Sequence, residues 1–175
     1  MKPLLTLFAA AAMLLSTFTA GNVRAEDVVK VWTPPAHKIV AQTIIDKLMK
    51  ERPELLSVTF HGVPPGADKD RFAMFAGSFL DRIGKASADD DIMVAAKGFT
   101  IIDPRWNKKD PEPKFLVLVP LRDAQSRNVG CIVFAFKNTK EFTKTEAEFL
   151  AAANGIRDSI RPMIADHASL FAPAS

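Results

Sequence analysis

The side chains best suited to chemistry are scattered along this chain instead of being gathered into a motif. The three histidines, His37, His61 and His167, lie far apart, with no metal-ligand spacing between them. There is no G-x-S-x-G, H-E-x-x-H, P-loop or C-x-x-C-H, so no familiar nucleophile, zinc, phosphate or haem site is encoded locally. His61 ends an alternating run in which it shares a face with Ser57 and Thr59; it is either a hydrogen-bonded strand-end side chain or a polar contact to a ligand. Arg71 and Arg122 sit at strand ends, where a guanidinium offers two parallel donors to a carboxylate, or simply faces solvent. Arg82 and Lys85 flank Ile83-Gly84, and could close over an anion or merely solvate the loop. Asp89-Asp90-Asp91 reads first as charge complementing a helix N-terminus, not as a cation site. Cys131 stands alone among apolar residues, so no intramolecular disulfide can form and a buried, inert thiol is expected.

These residues must be positioned by the elements around them. Lys2 followed by the apolar run Leu4–Ala20 and the small-x-small Val23-Arg24-Ala25 reads as a signal peptide cleaved after residue 25, with an uncleaved anchor as the competing reading. Cleavage would leave 150 of the 175 residues, enough for one domain, 26–175. It would remove Lys2 and Arg24, taking Lys+Arg from 23 to 21 against 20 Asp+Glu and the net charge from +3 to +1. Nothing in that balance points to nucleic acid.

Ala36–Arg52 carries Ile39, Val40, Ile44, Ile45, Leu48 and Met49 at helical spacing, between Pro34-Pro35 and Pro53. Leu55–His61 and Arg71–Ala76 read as an antiparallel hairpin around a Pro/Gly-rich turn. Ser87 is expected to cap a short helix running to Gly98, and Phe99–Ile102 to form a short strand before the polar loop Asp103–Pro113. Phe115–Leu121 and Val129–Phe136, joined by a polar turn, are apolar on both faces. Thr143 with Glu146 predicts a capping box opening a C-terminal helix that Pro162 ends or kinks before a tail. The order implies an α+β domain: a five-stranded, mainly antiparallel sheet with a long N-terminal helix, a short central helix and a C-terminal helix. By strand position, Phe75, Phe99, Phe115, Val117, Val119, Cys131 and Val133 are candidates for the wall of a pocket.

The stretch D-R-I-G-K at Asp81–Lys85, the short helix ending at Gly98, F-L-V-L-V-P-L-R-D, and V-G-C-I-V-F-A-F after the turn together resemble the C-terminal half of Cache-type (PAS-like) periplasmic sensor domains. That resemblance implies an exported domain that binds a small metabolite beside its sheet without transforming it, with organic acids and amino acids as common ligands. It makes His61, Arg71, Phe75, Arg82, Lys85, Phe115, Val117, Arg122 and Cys131 the candidate ligand contacts, with no metal and no cofactor. Ligand would sit between the sheet and the loops of Gly66 and Gly84, and ordering of the Asp103–Pro113 loop or a changed contact would carry the signal. Such domains usually sit between membrane helices of a receptor. No second apolar segment of spanning length and no signalling module follows here, so the expectation is a stand-alone periplasmic version working through a membrane receptor or sensor kinase. Its N-terminal helix could pair with a second copy as a homodimer, although covering its own sheet is the simpler use. A ligand-free adaptor whose pocket is filled by side chains is the main alternative. A small periplasmic enzyme is a further alternative, which a histidine, a carboxylate and a hydroxyl converging in one cleft would favour.

Overall fold

A computed structural model describes residues 29–103 and 113–174. The expected signal segment and most of the expected Asp103–Pro113 loop lie outside those residues. The described residues form one five-stranded sheet with α-helices on both sides. In chain order the elements are α1 (Val40–Glu51), β1 (Leu55–Gly62), β2 (Ala73–Gly77), α2 (Asp89–Lys97), β3 (Ile101–Asp103), β4 (Lys114–Arg122), β5 (Asn128–Lys137) and α3 (Glu146–Ile160). The strands are ordered β2-β1-β5-β4-β3, and every neighbouring pair is antiparallel. The α+β class and the antiparallel five-stranded sheet expected from the sequence are what the chain builds.

Strand alternation divides the sheet into two unlike faces. One carries Val58 and Phe60 from β1, Val117 and Val119 from β4, and Phe134 and Phe136 from β5, all buried in one core with Ile44 and Leu48 of α1 and Phe149 and Ile156 of α3. Phe149 stacks on Phe115 at 4.4 Å between ring centroids. The apolar stripe of α1 is therefore used inside the domain, where Ile39, Ile44, Ile45 and Leu48 are buried; that stripe is not available for pairing with a second copy. On the other face α2 packs Val94 against Leu116, Leu118, Cys131 and Ala135 of β4 and β5, and its first turn also reaches β1, where Asp91 lies 3.2 Å from His61. Asn128 Nδ2 donates to the Ala95 carbonyl at 2.7 Å and so ties the end of α2 to the start of β5.

Several element boundaries differ from expectation for identifiable reasons. Helix α1 begins at Val40, not near Ala36, because Ile39 is extended and bridged to Pro173. The tail after Pro162 is part of the fold: Leu170 is buried and Phe171 packs edge-on against Trp32 at 6.0 Å. The cap of α2 is Ala88, not Ser87, and the Asp91 carboxylate accepts the Ala88 N–H at 3.1 Å. The capping box of α3 is Thr145 with Glu148, two residues beyond the expected Thr143 and Glu146, and Thr143 donates instead to Asn138. Strand β2 starts at Ala73, two residues after Arg71.

Candidate functional site

The part of the second face left open beside α2 is polar along β1 and apolar along its neighbours. β1 presents Ser57, Thr59 and His61 there, since a strand turns alternate residues to the same side. The ladder places these beside an apolar row, with Ser57 opposite Ala135, Thr59 opposite Val133 and His61 opposite Cys131. On the other side of β1 a bulge intervenes: Phe60 pairs with Ala76 and His61 with Met74. The extra residue, Phe75, thus turns into the main core, where its ring lies 4.8 Å from that of Phe171. Met74 stays on the polar side.

A cavity of about 490 Å³ opens over this surface. Its floor is Ser57, Thr59, His61, Met74, Leu116, Leu118 and Val133, and its rim is Phe79, Arg82, Lys85, Ser87, Asp90 and Asp91 with their neighbours. The rim is built by backbone pairing. Met74 N–H donates to the Lys85 carbonyl at 2.9 Å and Gly84 N–H to the Met74 carbonyl at 2.8 Å, so the loop runs as an added edge along β2. Outside it, Val31 and Trp32 donate to the Gly84 carbonyl at 2.8 and 3.2 Å. Gly84 has φ +94°, and a Cβ there would stand 2.1 Å from the Trp32 carbonyl oxygen; only glycine lets the arm and the loop approach so closely. Arg82 stacks over Phe79 at 4.8 Å from the ring centroid.

His61 is the best-held polar group on the floor, with 8% of its surface exposed. Its Nε2 lies 2.8 Å from Thr59 Oγ1, and its Nδ1 lies 3.0 Å from Ser87 Oγ and 3.2 Å from Asp91 Oδ2. Burial lowers its pKa to about 4, against the pull of Asp90 and with the push of Lys85. The ring is neutral at pH 7. A carboxylate can only accept, so the proton sits on Nδ1, and Nε2 receives the Thr59 hydroxyl proton. Burial, with Asp91 and Asp90 adding to it, raises the Cys131 thiol well above its ordinary value, which suits an inert group.

The candidate residues read from the sequence separate into two sets. His61, Arg82 and Lys85 come together at the cavity, and Val133 lines it too. Phe75, Phe115, Val117 and Val119 belong to the main core on the opposite face. Arg71 is exposed and paired with Asp68 at 3.1 Å beside the Gly66 turn, and it does not line this cavity. Arg122 donates to the Ser126 carbonyl in the β4–β5 turn. Phe99 is exposed. Cys131 is on the cavity's side of the sheet, yet it packs under α2. Gly84's loop borders the cavity and Gly66's does not. Ser57 and Thr59 follow from His61 by strand period, whereas Asp91, Ser87, Leu116 and Leu118 required the tertiary fold to be found. Among the described residues no group of His, Cys, Asp or Glu could hold a metal ion, and no helix is long and apolar enough to cross a membrane.

No protein-family model matches the chain, and no curated protein does. Among solved structures it is similar to the E. coli DcuS sensor domain, with 17% identity, a TM-score of 0.38, and coverage of 67% of this chain and 71% of that one. At that level of likeness the cavity itself must carry the functional argument.

Proposed function

We propose that this chain is an exported sensing domain that holds a small anionic metabolite in the cavity over β1. Residues 1–25 would be removed on export, and the bound state would be read by a membrane receptor or sensor kinase. The observation that supports this reading is the open space of about 490 Å³ over a floor of hydroxyls and imidazole, with two cations at its rim. A volume in that range suits a metabolite-sized ligand, and a few polar groups among apolar walls are how such sites orient one. Arg82 and Lys85 supply the charge for a carboxylate; Ser57, Thr59 and Ser87 supply hydroxyls. The adaptor alternative called for a pocket filled by side chains, and this one is not filled.

Native mass spectrometry of protein purified gently from its own host tests the reading. An extra mass in the metabolite range, lost on denaturation and diminished in R82A/K85A, is the expected result. A bare protein mass, together with no binding of small carboxylates at millimolar concentration by calorimetry, would overturn it.

A further inference from the structure

Binding a ligand does not by itself call for the chain of polar contacts in the cavity floor. Asp91 Oδ2 lies 3.2 Å from His61 Nδ1, and His61 Nε2 lies 2.8 Å from Thr59 Oγ1. A carboxylate, an imidazole and a hydroxyl follow one another, using opposite ring nitrogens, and all three residues line the cavity. This is the order in which an acid fixes the tautomer of a base and the base activates a nucleophile.

We propose that Thr59 is a nucleophile, with His61 as its base and Asp91 as the residue positioning that base, and that it takes the acyl group of a small carboxylic ester or lactone entering this cavity. The proposal goes beyond ligand sensing and does not depend on which metabolite is sensed.

Each part is held by a separate feature of the fold. Thr59 and His61 are two apart on β1 and so share a face. Opposite Thr59 stands Gly77, where a Cβ would come within 3.0 Å of the threonine methyl; the missing side chain leaves that methyl its place and keeps Oγ1 turned to His61. Asp91 is buried, and the Ala88 N–H holds its carboxylate. Ser87 Oγ is the hydrogen-bond partner of Nδ1, and it is the Asp91 carboxylate beside it, which can only accept, that favours the tautomer leaving Nε2 to accept a proton.

In the first step Thr59 Oγ1 forms a bond to the carbonyl carbon and its proton passes to His61 Nε2. The bond from that carbon to the ester oxygen then breaks, and the departing oxygen takes the proton from Nε2. Water, giving a proton to the same nitrogen, attacks the acyl-threonine, releases the carboxylic acid and restores the hydroxyl. The sum is ester plus water giving acid plus alcohol, with no oxidation or reduction. Arg82 and Lys85 in the same cavity supply positive charge for the oxyanion.

The groups around His61 are Thr59 on its own strand, Asp90 and Asp91 from α2, Lys85 and Ser87 from the rim loop, and Cys131 paired with it on β5. Because the ring loses its proton near pH 4, it is available as a base throughout the neutral range, although a weak one.

The test is reaction of the unaltered protein with diisopropyl fluorophosphate, followed by intact mass and peptide mapping, beside release of nitrophenolate from p-nitrophenyl acetate. One adduct per chain on Thr59 is expected, absent in T59V and formed at least tenfold more slowly in H61Q. Labelling should climb through pH 4 and then stay flat from pH 6 to 8, whereas an unassisted hydroxyl would gain about tenfold per pH unit. In D91N the plateau should fall and the acid limb move to lower pH, a change that a purely structural role for Asp91 would not produce. No adduct on Thr59, adducts confined to lysines or Cys131, or a rate that rises steadily with pH would each overturn the proposal. The pH profile needs no variant, so it decides even if H61Q fails to fold. A metabolite seen by native mass spectrometry without any Thr59 adduct would leave the sensing role standing and remove the nucleophile.

Discussion

Replacing Gly84 by alanine should cost far more than the same change at Gly98, although both residues have positive φ, at +94° and +72°. Moving an L-residue into that half of backbone space costs roughly 1–2 kcal/mol, and at Gly98 little else is lost, because the nearest atom to a new Cβ is Asn128 Nδ2 at 3.9 Å. At Gly84 the new Cβ would be 2.1 Å from the Trp32 carbonyl oxygen, so the arm at residues 30–33 must lift. The Val31 and Trp32 hydrogen bonds to the Gly84 carbonyl go with it, at about 1 kcal/mol each, as does the edge-on packing of Trp32 on Phe171, worth about 1 kcal/mol. G84A should therefore be destabilised by about 4 kcal/mol and G98A by about 1 kcal/mol, which for a domain of this size separates their melting temperatures by roughly 10 °C. Urea unfolding followed by far-UV circular dichroism measures both, and cleavage by a protease near Lys30 reports the freed arm. Equal costs at the two glycines would mean that the arm does not rest on Gly84, and the rim loop carrying Arg82 and Lys85 would lose its outer support.

Other outcomes follow from the same geometry. R82A/K85A should weaken binding of a small carboxylate more than tenfold by calorimetry, whereas R71A, whose guanidinium pairs with Asp68 and does not line the cavity, should change it less than twofold; equal effects would move the site toward the Gly66 turn. His61 ties stability to pH. Its folded pKa of about 4 lies below the unfolded 6.5, so between those values the unfolded chain binds more protons and stability falls as pH falls through that window. The loss from pH 7 to 5 should be about 2 kcal/mol in urea titrations and should vanish in H61Q. T145A should cost about 1 kcal/mol of stability through loss of the α3 cap, more than T143A, and the reverse order would put the helix start at Thr143.

The parts of the fold legible in the sequence were those written in local period. The stripe from Ile39 to Met49 located α1, and the alternation of Ser57, Thr59 and His61 against Val58 and Phe60 divided β1 between its two faces as the structure does. Glycine at 98 marked the end of α2, where φ is +72°. What local period does not hold is parity between strands. β4 and β5 are apolar on both sides, so neither shows which residues turn toward the cavity. That choice comes from the register Thr59–Val133–Leu118 across three strands, and it sends Phe115 and Val117 to the helical core while Leu116 and Leu118 floor the cavity. The bulge that adds Phe75 opposite the Phe60–His61 step moves that ring to the core in the same way. Arg71 and Arg122 were plausible as strand-end cations, but a guanidinium's role depends on which end of which neighbouring strand it meets. The Asp91–His61 contact joins residues 30 apart in sequence and has no local signature beyond an acid in a helix's first turn.

The cavity lies over the polar face of β1, which no helix among the described residues covers in full. Burying Ser57, Thr59 and His61 under an apolar helix would strand two hydroxyls and an imidazole without water, at roughly 1–3 kcal/mol for each group left unpaired. The fold avoids this cost in two ways: α2 is only nine residues long and meets β1 with the Asp91 carboxylate, and the polar face of β1 is bordered by a loop that brings hydroxyls and charges of its own. Within the site, Thr59 and Ser87 satisfy the imidazole, but satisfying it does not fill the space above it. An apolar substitution that removed the polarity, such as T59V with H61L, should let the rim settle onto the floor and raise stability while abolishing binding. A double variant that bound small carboxylates as well as the unaltered protein would show that the ligand is held by Arg82 and Lys85 alone and that the polar strand face serves some other purpose.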